Sequence, residues 1–259
     1  MSTPTTEMHL VVSASSQHDV ARVGMSAPLR WIRQGIEDFR RLPGLSLLYG
    51  VLFAGLCAGV YLLIRSVPWY TLGYLTGLVV MGPFLASGLY AASRDRERGI
   101  TPSITRSLRL LGQRKTYLAL FSLMLALVMA AWVRFSALVF ALTVDTLSPS
   151  VEAYTSLFST TDGMAALGYF VGIGFLLSAV LFVISAVAVP LILDKDADFI
   201  TAMQTSYRAV ARNLVPMAIW AAAIVALTAI GIATAFIGLA IVLPVLGYAT
   251  WHSYRALVK

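Results

Sequence analysis

The chain has 259 residues, 59% of them hydrophobic and 12% charged. Soluble domains carry about 25% charged residues, so this composition excludes an ordinary water-facing surface and points to lipid contact. The net charge of +7 does not indicate nucleic acid, because the basic residues flank apolar runs, where anionic lipid headgroups attract them.

Residues 1–25 are rich in Ser and Thr and lack the apolar run of roughly 7–15 residues that a signal peptide needs. They are expected to form a disordered, uncleaved cytoplasmic tail, with 26–259 as a single membrane domain. A hydrocarbon core of about 30 Å needs about 20 helical residues. The first run that long is 45–64, opened by Pro43 and Gly44. A second starts at the interfacial pair Trp69 and Tyr70 and ends near Ala92. The segment 94–115 carries seven positive charges and is predicted to stay in the cytoplasm. A third span follows over 117–142, and a fourth over 164–193. Between them, Asp145, Glu152 and Asp162 stand without any Lys or Arg, as in an outer loop. Residues 214–257 are apolar almost throughout and suit two crossings, with a turn near Gly231 to Gly238.

Of the 19 Lys and Arg residues, only Arg65 and Arg134 fall outside the segments assigned to the cytoplasm. The expected fold is therefore an all-α polytopic membrane protein with six transmembrane helices and both termini cytoplasmic. The bilayer forbids unpaired backbone groups, so the spans are helices. The alternating strands of a β-barrel are absent.

An amphipathic stretch precedes each pair of spans. The first has Leu29, Ile32, Ile36 and Phe39 at helical spacing, with Arg30, Arg33, Glu37, Arg40 and Arg41 on the other face. The second sets Ile104, Leu108 and Leu111 against Arg106, Arg109 and Arg114. The third sets Ile200, Met203, Tyr207, Val210 and Leu214 against Arg208 and Arg212. The closing span of each pair has a proline toward its cytoplasmic end: Pro83, Pro190 and Pro244. This order reads as a parallel threefold repeat, against which stands chance likeness among apolar helices. The nine arginines are candidates for anionic headgroups of the cytoplasmic leaflet, each contributing about 1 kcal/mol near such a surface. The alternative is that the amphipathic stretches cap the bundle from below.

Chemistry-bearing residues are few. No Asp or Glu lies mid-span. Arg134 lies about 27 Å of helix beyond Thr116 and is expected to snorkel to the outer interface, unless it serves an internal anion site. The histidines are His9, His18 and His252, which do not supply facing haem ligands. Cys57 is expected to be a small packing residue. Asp194, Asp196 and Asp198 alternate as in a calcium loop, but Phe199 and Thr205 stand where its Gly and Glu belong. Helix capping and a weak divalent site are the two readings of that triplet. Gly55 and Gly59, Gly73 and Gly77, and Gly168 and Gly172 suit close helix approach, within the chain or between copies. No Ser-His-Asp set, phosphate loop or zinc motif is present, so neither an enzyme nor a cofactor is expected.

The stretches Pro43 to Gly50, Gly82 to Tyr90, Val189 to Asp194 and Leu243 to His252 together resemble a bacterial family of predicted integral membrane proteins of unknown function. The resemblance covers about residues 25–257. It implies a bacterial inner-membrane protein and transfers no catalytic residue. Some members carry an automatic label as oxidase subunit one, which the histidines of this chain do not support. The functional expectation is a structural, assembly or partner-binding membrane protein with a protein partner or a second copy of itself. A small-solute channel or carrier and an accessory respiratory subunit are the alternatives.

Overall fold

Every named element among the described residues of this computed structural model is a helix, and those residues are 18–64, 86–143 and 158–259. In chain order the helices are α1 (Ala27–Arg41), α2 (Pro43–Ile64), α3 (Ser87–Glu97), α4 (Ile104–Gln113), α5 (Lys115–Thr143), α6 (Thr161–Ser185), α7 (Ala188–Lys195), α8 (Phe199–Arg212), α9 (Leu214–Ala233) and α10 (Leu239–Leu257). The all-α expectation holds. Pro83, Gly73, Gly77, Trp69, Tyr70, Asp145 and Glu152 lie outside the described residues, as do residues 1–17.

Three of these helices end in a one-residue break and lead straight into a long apolar helix. Leu42 separates α1 from α2, Arg114 separates α4 from α5, and Asn213 separates α8 from α9. Pro43 then opens α2, where its missing N–H costs nothing and its fixed φ suits a first turn. The hydrogen bonds run on across the first break: Leu42 N–H donates to Asp38 O, and Ser46 N–H to Leu42 O.

Four helical segments are long and apolar enough to cross a bilayer: Pro43–Leu63, Lys115–Val139, Thr161–Lys195 and Leu214–Ala233. Of the other two expected crossings, the second run lies mostly outside the described residues. The second half of α10, from Tyr248 to Arg255, is too polar and aromatic to count as hydrocarbon-embedded. Large apolar side chains on α2, α5, α6 and α9 face outward, among them Leu52, Leu127, Phe175 and Val225. Dense packing is concentrated instead at the other ends of the helices, around the fully buried Trp31, Tyr90, Trp220, Tyr248, Trp251 and Tyr254.

The third crossing segment is broken between α6 and α7. Pro190 has no N–H, and its ring clashes with the carbonyl four residues earlier, that of Ala186. The helix opens there, and Ser206 of α8 fills the gap. Its hydroxyl donates to Val183 O at 2.8 Å and accepts from Val187 N–H at 3.4 Å. These are the two groups that an unbroken helix would have bonded to each other.

Helix α10 is gripped on three sides. Gly35 lets α1 come close to it: a Cβ there would stand 2.5 Å from Val245 O and 2.9 Å from Ala249 N. Gly50 does the same for α2, against the carbonyl of Ala240. That carbonyl is the one Pro244 deprives of its intrahelical donor. Gly247 of α10 in turn admits Leu89 of α3. The expected small-residue contacts differ: Gly55, Gly59, Gly168 and Gly172 meet nothing within 4 Å. They lie on outward faces and do not join the described helices. The turn expected near Gly231 to Gly238 does form, pinned by Thr234, whose hydroxyl donates to Gly231 O and accepts from Gly238 N–H, each at 2.8 Å.

The expected tail boundary shifts. Ala21 N–H donates to Leu257 O at 2.8 Å, Lys259 N–H donates to Asp19 O at 3.0 Å, and Val20 pairs antiparallel with Val258. Asn213 completes the clasp, accepting from Val23 N–H at 2.8 Å and donating to Ala21 O at 3.0 Å. Residues 19–23 are thus tied to residues 257–259 and to Asn213.

Candidate functional site: the charged ends of α3, α7 and α10

The last turns of α3, α7 and α10 converge, and α1 closes over them. Two carboxylates organise the meeting point. Asp38 of α1 is buried, which only paired or hydrogen-bonded carboxylates tolerate. It accepts from Ser93 Oγ at 2.7 Å, lies 3.1 Å from His252 Nε2 and pairs with Arg96. Asp194, the next-to-last residue of α7, accepts from Arg94 Nε at 3.1 Å, Arg98 Nη2 at 2.8 Å and the Tyr254 hydroxyl at 2.9 Å. Arg255 Nη1 stands 3.7 Å from its second oxygen. Glu97 joins the two halves, 3.0 Å from Arg255 Nε and 4.0 Å from His252 Nδ1.

This arrangement is an ion-pair lock. Among the described residues, no group of three or more His, Cys, Asp or Glu is placed to hold a metal. The Asp194, Asp196 and Asp198 triplet does not converge. Asp194 is the hub just described. Asp196 sits in the left-handed region at φ 57° and pairs with Arg114. Asp198 alone caps a helix, accepting from Ile200 and Thr201 N–H at 3.0 Å. Its hydrogen bonds from the Thr201 side chain and backbone hold its carboxyl below the ordinary carboxylate range. His18 is lowered by burial first, and then by Lys195 and Arg208.

The nine arginines part company. Arg114 turns inward to Asp196, and Arg106 stands 3.6 Å from the buried Asp95. Arg41 pairs with Glu37 on its own helix. Arg30 reaches Ser26 at 3.4 Å, Arg208 reaches Thr205 at 3.3 Å, and Arg212 reaches Val20 O at 3.2 Å. Arg33, Arg40 and Arg109 are exposed. Arg134 is also exposed on α5. Pro190 and Pro244 are buried within α7 and α10.

The amphipathic helices turn an unexpected face to the bundle. On α1 the buried side is Ala27, Trp31, Gly35 and Asp38, while Leu29 is 70% exposed. On α4 it is Ser107 and Leu110, while Leu108 is 60% exposed. On α8 it is Thr201, Ala202, Thr205, Ser206, Ala209 and Val210, while Tyr207 is 58% exposed. Small and polar residues make much of the contact; Leu29, Ile36, Ile104, Leu108, Ile200 and Tyr207 of the apolar stripes stay exposed, while Ile32, Phe39, Leu111, Met203 and Val210 pack on the core. Sequence reasoning missed Asp38, the hub role of Asp194 and the arginines of α3 that pair with them. The spacing of Trp31, Gly35 and Asp38 was the available signal for the first.

Residues 71–194 match the model of the family described as predicted integral membrane protein (DUF2189). The chain is thus an integral membrane protein with apolar helices. No curated protein and no solved structure matches it.

Proposed function

We propose that this is a non-enzymatic, six-span protein of the bacterial inner membrane, with both termini cytoplasmic, that presents a rigid cytoplasmic platform to a protein partner. One observation carries the reading. The ends of α3, α7 and α10, which approach in space from distant parts of the chain, are tied through Asp38 and Asp194 into a single charged surface. Such a lock rigidifies a docking face. Three units of amphipathic helix, span and span build the platform, a reading that the one-residue breaks at Leu42, Arg114 and Asn213 support.

The exposed stripes led by Leu29, Leu108 and Tyr207 support an interfacial rather than a capping role for α1, α4 and α8. Arg30, Arg33, Arg40 and Arg41 of α1, with Arg208 and Arg212 of α8, then lie near anionic headgroups. A solute path at the prolines fits less well, since the side chains of Val189, Leu191, Ile192 and Leu193 around Pro190 are fully buried.

Photo-crosslinkers at Gln34 and Arg40 test the platform in cells. A discrete crosslinked partner, or a second copy of the chain, is expected. Purification as a lone monomer without crosslinked species overturns the reading. Topology is tested separately: a reporter fused after Ser150 is expected to report the periplasm, and one after Gln204 the cytoplasm.

A further inference from the structure

A cavity of about 470 Å³ opens between the end of α3 and the flank of α4. Its volume falls in the range of small-molecule sites, about 300–1,000 Å³. Four guanidinium groups line it: Arg94 and Arg98 from α3, Arg106 and Arg109 from α4. Only one carboxylate, Asp95, shares the lining. Asp194 holds Arg94 and Arg98 from behind, so their forks are positioned before any ligand arrives. Arg109 makes no ion pair with any described residue.

Asp95 supplies an independent observation. It is 4% exposed, and its Oδ2 accepts no hydrogen bond. The nearest cation, Arg106 Nε, stands off at 3.6 Å. A buried carboxylate oxygen without a hydrogen bond is costly, and its presence in the lining asks for a donor. Guanidiniums call for an oxyanion, with the paired N–H geometry that phosphate matches. The two demands are met together by a phosphate group with a hydroxyl or ammonium close by.

We propose that this cavity binds a phosphate-bearing ligand whose neighbouring hydroxyl or ammonium group donates to Asp95. The shared chemistry occurs in soluble phosphoesters and in glycerophospholipid headgroups. Helix geometry favours the soluble source. At about 100° per residue, Thr105, Arg106, Arg109 and Gln113 fall on the side of α4 opposite Ile104, Leu108 and Leu111. If the apolar stripe lies on lipid, the cavity opens to water.

The test uses the full chain in nanodiscs of phosphatidylcholine, titrated calorimetrically with sn-glycerol 3-phosphate, inorganic phosphate and glycerol. Saturable binding of glycerol 3-phosphate is expected, tighter than that of inorganic phosphate, with none for glycerol. Arg109→Gln changes an exposed side chain and is expected to keep the fold while weakening binding about tenfold or more. Asp95→Asn is expected to erase the preference over inorganic phosphate. In nanodiscs of phosphatidylglycerol, native mass spectrometry reads the other source. A retained lipid that Arg109→Gln releases, with no binding of the soluble ester, supports the site and assigns it to a headgroup. Absence of both kinds of binding, or binding indifferent to Arg109→Gln, overturns the proposal. Equal affinity for the ester and inorganic phosphate overturns the role given to Asp95.

Discussion

Arg94 Nε donates to Asp194 Oδ1 at 3.1 Å, although a hundred residues of chain separate them. Their side chains are 14% and 8% exposed, so this is a desolvated pair with Arg98 and Tyr254 on the same carboxylate. Removing one partner from such a pair strands the other charge, which typically costs about 3–5 kcal/mol. Asp194→Ala is expected to destabilise the protein by about that amount in denaturant unfolding from detergent micelles. Asp194→Asn retains an acceptor for Tyr254 and is expected to cost less. Equal stability of wild type and Asp194→Ala would show that the lock does not hold the helix ends.

Ser206 gives a sharper test, because its role depends on Pro190. Its hydroxyl bridges Val183 O and Val187 N–H only where the helix is open. Ser206→Ala leaves both groups buried and unpaired, at an expected cost of about 1–3 kcal/mol. In a Pro190→Ala background the missing N–H returns and α6 is free to run on into α7. The cost of Ser206→Ala should then shrink. A double-mutant cycle measures the difference, and additivity of the two changes would separate the serine from the proline break.

The crossing helices were legible because an apolar run of about 20 residues has few alternatives. The amphipathic helices were legible as helices, but not in how they face. Their periodicity marks Leu29 and Ile36, yet α1 meets α10 through Trp31, Gly35 and Asp38. Close backbone approach selects small residues, and hydropathy does not register them. Asp194 was read with Asp196 and Asp198 as a capping run or a weak divalent site because the spacing is local. What makes it a hub is Arg94, Arg98 and Tyr254, and no local pattern announces partners that far away. The turn at Thr234 was legible from the length of 214–257 alone, since that run is too long for a single crossing helix.

Glycine substitutions discriminate packed faces from outward ones. Gly35→Ala places a methyl group against Val245 O and Ala249 N, both backbone atoms that cannot swing aside. Overpacking of this kind costs about 1–3 kcal/mol. Gly55→Ala meets nothing within 4 Å and removes a flexible residue from a helix interior, so it is expected to stabilise by about 0.5–1 kcal/mol. The two variants should shift the thermal midpoint in detergent in opposite directions. Loss of stability in Gly55→Ala without any change in oligomeric state would contradict the outward placement of that face.

Asp198 carries the clearest acid dependence outside the spans. Hydrogen bonds from Thr201 and Ile200 hold its carboxyl below the ordinary value of about 3.9. A carboxylate whose folded pKa is depressed adds stability that is fully present above the unfolded value. That stability is lost as pH falls through the folded value. At neutral pH, Asp198→Ala is expected to cost about 1 kcal/mol, the usual effect of deleting a helix N-cap. Asp198→Asn keeps an oxygen acceptor and should cost less, but with no titrating charge. The readout is hydrogen exchange at the amides of Ile200 and Thr201. Protection in wild type should exceed that in Asp198→Asn at neutral pH. The difference should close only below about pH 4, since the folded carboxyl stays charged down to that range. If the two proteins keep the same difference through that acid range, the Asp198 charge does not stabilise the first turn of α8, and the cap acts through hydrogen-bond geometry alone.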